Sequence, residues 1–307
     1  MHKYKVWLML TACNLFWAGN YVFGKFVVKE MAPLWITFSR WAVASFILLG
    51  IASIFEKPDW RLVKKHWPMY IILGLVGLVG YNTVLYSALD YTSSTNAALV
   101  SALNPGVIVL FSVFVLKETL TKIQLGGMVL SLLGVLVILT GGNLTQLFVM
   151  EYNRGDLLMI VAVLLWSIYS ILGKRLKEVP PITATAVSAL FATLMMAPFA
   201  LAQGINIQEM SPLALTGILY MIIFPSVASF IFWNVSVRQI GASQAGIFLN
   251  LIPVFTALIS WSLGQKISAF QILGGIFVFS GVYLTTGMLD QVLLRRGKQN
   301  TTIGEKY

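Results

Sequence analysis

Carboxylates are scarce in this chain. Only 11 of its 307 residues are Asp or Glu, and Asp90, Glu118, Asp156 and Asp290 all fall at the ends of apolar runs or between them. A proton-driven cation exporter needs a titratable acid inside the membrane, and an aspartyl intramembrane protease needs two, so the pattern argues against both. The two histidines, His2 and His66, lie outside the apolar runs, which excludes a buried Ser–His nucleophile. One cysteine, Cys13, excludes an intramolecular disulfide framework and an all-Cys metal site. Charged residues make up 10% of the chain, against about 25% in soluble domains, so no soluble domain is expected. The net charge of +10 comes from basic residues scattered through short breaks and tails, not gathered into a nucleic-acid-binding face.

What is abundant is apolar sequence, at 58%. Ten apolar runs, near 7–27, 34–55, 69–89, 95–116, 123–140, 156–176, 183–202, 213–235, 242–263 and 270–288, are each long enough to span a bilayer core as a helix. The first lacks a small-residue cleavage site and reads as a retained helix. Two stretches repeat at an offset of 148 residues: Thr95–Gly127 and Ser243–Gly275. They place Pro105 on Pro253, and Gly126-Gly127 on Gly274-Gly275. Helix one, LFWAGNYVFGK, returns as LLWSIYSILGK in helix six, with Trp17 on Trp166 and Lys25 on Lys174; Pro33 returns as Pro181. The expectation is an all-α integral membrane protein of ten transmembrane helices. It divides into a first repeat (1–140), a connecting loop (141–155), a second repeat (156–288) and a cytoplasmic tail (289–307).

An odd number of helices per repeat makes the second repeat enter from the opposite side, giving inverted topology. With the N-terminus cytoplasmic, that side holds Lys3, Lys5, Lys57, Arg61, Lys64, Lys65, Lys117, Lys122, Lys174, Arg175, Lys177, Arg238, Arg295, Arg296, Lys298 and Lys306. The other side holds Lys25, Lys29, Arg154 and Lys266. Sixteen against four puts both termini in the cytoplasm of a cytoplasmic-membrane protein. Inverted repeats place a substrate site near the midplane and permit alternating access.

The paired LxWxxxxxxGK openings, Pro33 with Arg40, Tyr91–Ala98, Asn104-Pro105, LKE (116–118) and the glycine-paired helices five and ten resemble the EamA-type ten-helix permeases of the drug/metabolite transporter superfamily. The resemblance covers roughly residues 7–287. It implies export or exchange of small metabolites, often amino acids, through a central cavity, with no cofactor and no enzymatic activity. A multidrug or lipid-like amphiphile exporter of the same fold is the alternative. The sequence departs from the pattern where Lys266 replaces the LKE glutamate, and where Arg40 meets Ser188. Those departures put perfectly symmetric gating in doubt.

Helical spacing places Asn14, Trp17, Asn20, Tyr21 and Gly24 on one face of helix one, and Trp166, Tyr169, Ser170 and Gly173 on one face of helix six. Such stripes are costly against lipid and are expected to line a cavity; the alternative is interfacial aromatics with asparagines bonding helices together. Asn96 and Asn104 in helix four, and Gln244 in helix nine, serve either substrate or the carbonyls freed by Pro105 and Pro253, at Ser101 and Leu249. The two prolines are also the expected helix breaks. Tyr81, Asn82 and Tyr86 add candidates in helix three. Trp233 and Asn234 are consecutive, so at most one is expected to face a cavity. Arg40, the only charge well inside a span, binds a substrate carboxylate, holds an outer gate or snorkels to the surface. Gly126, Gly127, Gly134, Gly274, Gly275 and Gly281 suit close packing within the bundle or at a homodimer contact. Expected partners are a small-molecule substrate and the lipid bilayer, without nucleic acid.

Overall fold

The computed structural model describes residues 3–145, 153–204, 210–264 and 266–286. The expected tail with Arg295, Arg296, Lys298 and Lys306, the end of span ten, and residues 146–152 of the connecting loop lie outside the described residues. Within them the chain is helical, with no strand. The long helices are α1 (Lys3–Val27), α2 (Pro33–Phe55), α3 (Trp67–Tyr91), α4 (Asn96–Leu116), α5 (Lys122–Thr140), α6 (Arg154–Arg175), α7 (Pro181–Gln203), α8 (Pro212–Ile240) and α9 (Ala242–Ser262). These nine are long and apolar enough to cross a membrane; α10 (Ala269–Thr285) is apolar but has 17 residues. A short connecting helix, Trp60–Lys65, precedes α3.

Local sequence sets the helix starts. Pro33, Pro181 and Pro212 occupy first-turn positions, where no amide is needed. Reciprocal capping boxes open α5 (Thr121 with Gln124), α6 (Asn153 with Asp156) and α10 (Ser268 with Gln271). The expected boundaries fall short at two ends. α1 starts at Lys3, and α8 continues to Ile240, where Gly241 with φ of 96° ends it; Arg238 in the last turn donates to the Val179 carbonyl.

α2 packs on α7, α5 on α10 and α4 on α9, while α1 packs on α8 and α9, and α6 on α3 and α4. Exchanging each helix with the one five places on returns the same set of pairs. α5 and α10 cross antiparallel at nearly touching backbones. A Cβ on Gly127 would lie 2.6 Å from the Gly281 carbonyl oxygen, and one on Gly134 would lie 2.6 Å from that of Gly274. These glycines are therefore spent inside the bundle, whereas a Cβ on Gly126 would meet nothing within 4 Å. In lipid, where apolar surface gains little from meeting other apolar surface, such backbone approach is a main source of helix association.

The backbone departs from α geometry at repeated places. π-helical segments occupy Gly74–Gly80 of α3, Ser112–Leu116 at the end of α4 and Ile222–Ala228 of α8; the first and the last are offset by 148 residues at both boundaries. α4 breaks after Ser101 and resumes at Asn104; α9 tightens into a 3₁₀ turn at Phe248–Asn250. Pro105 and Pro253 sit in the first turns of the resumed helices, where no amide is needed.

Candidate functional site

The two aromatic stripes meet. Trp17 of α1 and Trp166 of α6 touch edge to face with ring centres 5.0 Å apart. Trp233 of α8 closes on both, at 5.5 and 5.4 Å, and Phe230 packs against both as well. Tyr81 of α3 lies 4.9 Å from Trp166, and Tyr169 lies 5.4 Å from it on the opposite flank. Trp17, Trp166, Tyr169, Phe230 and Trp233 are all buried. The rings fill the middle of the bundle by packing on one another.

Three indole N–H groups at this centre, those of Trp41, Trp166 and Trp233, have no hydrogen-bond partner, whereas Trp17 Nε1 donates to the Pro225 carbonyl at 3.3 Å. A buried donor left unpaired costs about 1–3 kcal/mol. The centre thus combines flat apolar walls with donors that are not engaged by the protein.

Polar groups flank the rings on either side. Towards the far end of the bundle (α1 begins at the near end), Tyr86 donates to Asn20 Oδ1 at 2.9 Å, and the Tyr21 and Ser101 hydroxyls share a 2.6 Å hydrogen bond. Towards the near end, Asn234 donates to the Tyr169 hydroxyl at 2.8 Å and to Thr185 at 3.0 Å. Trp233 and Asn234 are both buried at the cluster, the ring among the tryptophans and the amide on the Tyr169 hydroxyl. α8 is embraced on two sides, with Trp17 and Trp166 meeting the Trp233 ring and Tyr169 and Thr185 meeting the Asn234 amide.

Arg40 is 1% exposed and does not snorkel. Its Nε donates to the Met221 carbonyl at 3.2 Å and to Ser226 Oγ at 3.0 Å, its Nη1 donates to Asn82 Oδ1 at 3.3 Å, and its guanidinium lies over the Tyr86 ring. Pro225 lacks the amide that would bond Met221 in an α-helix, so Arg40 and Ser226, the latter at 2.8 Å, serve that carbonyl. Asn82 in turn donates to the Gly77 and Leu78 carbonyls of the other π segment. One side chain from α2 therefore bonds the α8 segment and, through Asn82, reaches the α3 segment. No acidic side chain pairs with it among the described residues.

Other candidates separate from this centre. Asn104 is buried at the α4 break with its amide oxygen unpartnered, and Asn14 donates to the Leu10 carbonyl with its own oxygen unpartnered. Asn96 and Gln244 are half-buried at the starts of α4 and α9, and no described contact ties either to the rings. Pro105 and Pro253 are buried within α4 and α9, one beside the α4 break, the other just past the 3₁₀ turn.

Sequence reasoning missed Phe230, Trp41, Thr185 and Ser226, whose isolated positions carry no repeat signal. It also missed what the loop carboxylates do. Glu30 accepts from the Ser211 amide and hydroxyl, both at 2.7 Å, at the start of α8. Glu56 accepts from the Ile182 and Thr183 amides at the start of α7. Glu118, the LKE glutamate, accepts from the Ala242 and Ser243 amides at the start of α9 and pairs with Lys174. Anions at helix starts complement the helix dipole and satisfy orphan amides. Burial pushes the Glu118 carboxyl up, but Lys174 and the Ser243 amide outweigh it and hold it below the usual carboxylate range. Gly241 makes room, with φ of 96° and a would-be Cβ 3.1 Å from the Glu118 carboxylate.

A model of the EamA-like transporter family matches this sequence twice, over residues 4–140 and 153–287. An uncharacterised transporter of Archaeoglobus fulgidus is 32% identical, the alignment covering 94% of this chain and 99% of its own. The aromatic amino acid exporter YddG of Ancylobacter novellus is 28% identical over 74% of this chain and 68% of its own. A S-adenosylmethionine/S-adenosylhomocysteine transporter of Chlamydia muridarum is 25% identical over 83% of each chain. One solved crystal structure shares the fold, with a TM-score of 0.74 at 22% identity over 95% of this chain and 98% of its own. A ten-helix apolar bundle whose irregular helices converge on a buried aromatic centre, matched twice by one family model, belongs to the EamA-like transporter family.

Proposed function

We propose that this chain is a secondary transporter of the cell membrane, with both termini cytoplasmic, that exports or exchanges a small neutral or zwitterionic metabolite. An amino acid bearing a flat or apolar side chain fits the centre best. The observation that carries this reading is the ring cluster with three unengaged indole donors, since it matches a molecule with one planar face and acceptor oxygens. The relatives named for aromatic amino acids and for S-adenosylmethionine support a cargo of that kind. The two matches of the family model support division into repeats 1–140 and 156–288. The antiparallel α5–α10 crossing is the arrangement that inverted repeats require. In this reading, rocking of one repeat on the other parts the rings and opens the centre to each side in turn.

The test is efflux from proteoliposomes preloaded with a mixed metabolite pool, with and without a pH gradient. Selective loss of one amino-acid class is expected. Trp17→Ala and Trp166→Ala are expected to abolish that flux while the protein still inserts. Unchanged flux in both variants would sink the site.

A further inference from the structure

A second place on the molecule has the makings of a ligand site, and it lies far from the ring cluster. A cavity of 590 Å³ opens sideways where α2, α3 and α7 meet the connecting helix Trp60–Lys65. Its walls are Leu49 of α2, Trp60 and Val63 of the connecting helix, Tyr70 of α3, and Val187 and Phe191 of α7, and Lys64 is the one charged residue among the lining side chains. The volume is within the roughly 300–1,000 Å³ of small-molecule sites. The wall is apolar, yet the Tyr70 hydroxyl is buried in it with no hydrogen-bond partner.

The surroundings say what kind of molecule fits. Trp60 is 47% and Trp67 55% exposed at the mouth, where tryptophan settles at a bilayer's headgroup level. Lys57, Arg61, Lys64 and Lys65 all fall on this one connection. Of these, Lys65 is drawn to Glu178 at 3.7 Å, while Lys57, Arg61 and Lys64 form no ion pair among the described residues. The nearby acids are engaged: Asp59 caps the connecting helix through the Arg61 amide, Glu56 holds the start of α7, and Glu178 also takes His66. What remains is an apolar slot beside Arg61 and Lys64, two exposed cations that form no ion pair among the described residues.

We infer that this cavity binds one anionic phospholipid, an acyl chain in the slot and the phosphate on Arg61 and Lys64. A free anion has no use for the apolar wall, and a zwitterionic lipid brings a choline or amine that the same cations repel.

Native mass spectrometry of the full chain, exchanged into equal amounts of phosphatidylglycerol and phosphatidylcholine, tests this. Phosphatidylglycerol is expected to be enriched about thirtyfold in the first retained adduct, as two basic contacts at an anionic surface would give. Arg61→Gln with Lys64→Gln, both at exposed positions, is expected to bring the two lipids to parity. Leu190 of α7 also lines the slot, and Leu190→Trp, which fills it, is expected to remove both adducts. Equal retention of the two lipids by the unaltered protein, or an undiminished preference in the double variant, would overturn the assignment. Loss of the phosphatidylglycerol adduct to competing inorganic phosphate would assign the cations to a free anion instead.

Discussion

The π-helical segments of α3 and α8 are the same deformation reached by different chemistry. In α3 the segment GLVGLVG has no side chain to obstruct it at Gly74, Gly77 or Gly80, and the Asn82 amide caps the Gly77 and Leu78 carbonyls from within the helix. In α8 the segment IIFPSVA is forced by Pro225, and its freed carbonyl is served by Ser226 and by Arg40 from a different helix. The glycine version makes room: a Cβ on Gly77 would lie 2.0 Å from the Tyr169 ring, so the ring seats against bare backbone. The proline version makes an acceptor, and Trp17 uses the Pro225 carbonyl to set its indole. One segment therefore shapes the centre by absence of side chains and the other by exposed carbonyls. π-segments of this kind recur at functional sites because they swing side chains without ending the helix.

Removing Arg40 should break the comparison most, since it bonds the α8 segment directly and reaches the α3 segment through Asn82. Arg40→Ala is expected to cost about 3 kcal/mol in detergent unfolding, because it leaves buried acceptors without their charged donor. Hydrogen exchange should rise more across 222–228 than across 74–80, since Asn82 stays bonded to its own helix. Equal protection in both segments would show that Arg40 is dispensable to α8. Arg40→Lys should recover less than half, because an ammonium lacks the fork that reaches both Met221 and Asn82.

A smaller effect sharpens the contrast between room and acceptor. Gly77→Ala is expected to destabilise by about 1–3 kcal/mol through the clash with Tyr169. Pro225→Ala, which returns an amide to the helix, should cost less than that in unfolding while changing transport. If the two substitutions proved equally damaging, the two segments would not differ in the way described.

The smallest effect lies at the helix starts. Glu30 holds Ser211 at the start of α8, and Glu178, 148 residues on, holds His66 at the start of α3. The Ser211 amide and hydroxyl lower Glu30 from its ordinary value, and His66 and Lys65 lower Glu178. A carboxylate lowered by folding stabilises above its unfolded value, about 4.3, and that contribution is lost as pH falls through the lower folded value. Unfolding between pH 6 and pH 3 should therefore lose an acid-side slope in Glu30→Gln and Glu178→Gln. Unchanged slopes in both would remove the carboxylates from the account.

Much of the fold was legible because bilayer thickness and backbone hydrogen bonding leave few choices. The ten runs, the proline starts and the glycine pairs read directly as helices and their packing. The site was only partly legible. Trp17, Trp166, Tyr169, Asn20, Asn82 and Tyr86 declared themselves as polar-aromatic positions in apolar helices, and the structure brings them to the centre or its flanks. Phe230 and Trp41 look like any lipid-facing residue until their neighbours are known. Asn96 and Gln244 satisfied the repeat pattern, yet they sit at helix starts, where an amide also suits the exposed backbone.

Composition and spacing by themselves determined a membrane-spanning helical bundle, the duplicated motifs and the lack of an embedded acid, because each rests on local hydropathy or on self-comparison along the chain. The tertiary structure alone decided that Arg40 turns inward, that Trp233 and Asn234 both serve the centre, and that loop glutamates anchor distant helix starts. Those outcomes depend on which carbonyls and amides a neighbouring helix leaves unpaired, and hydropathy along a single chain does not record that.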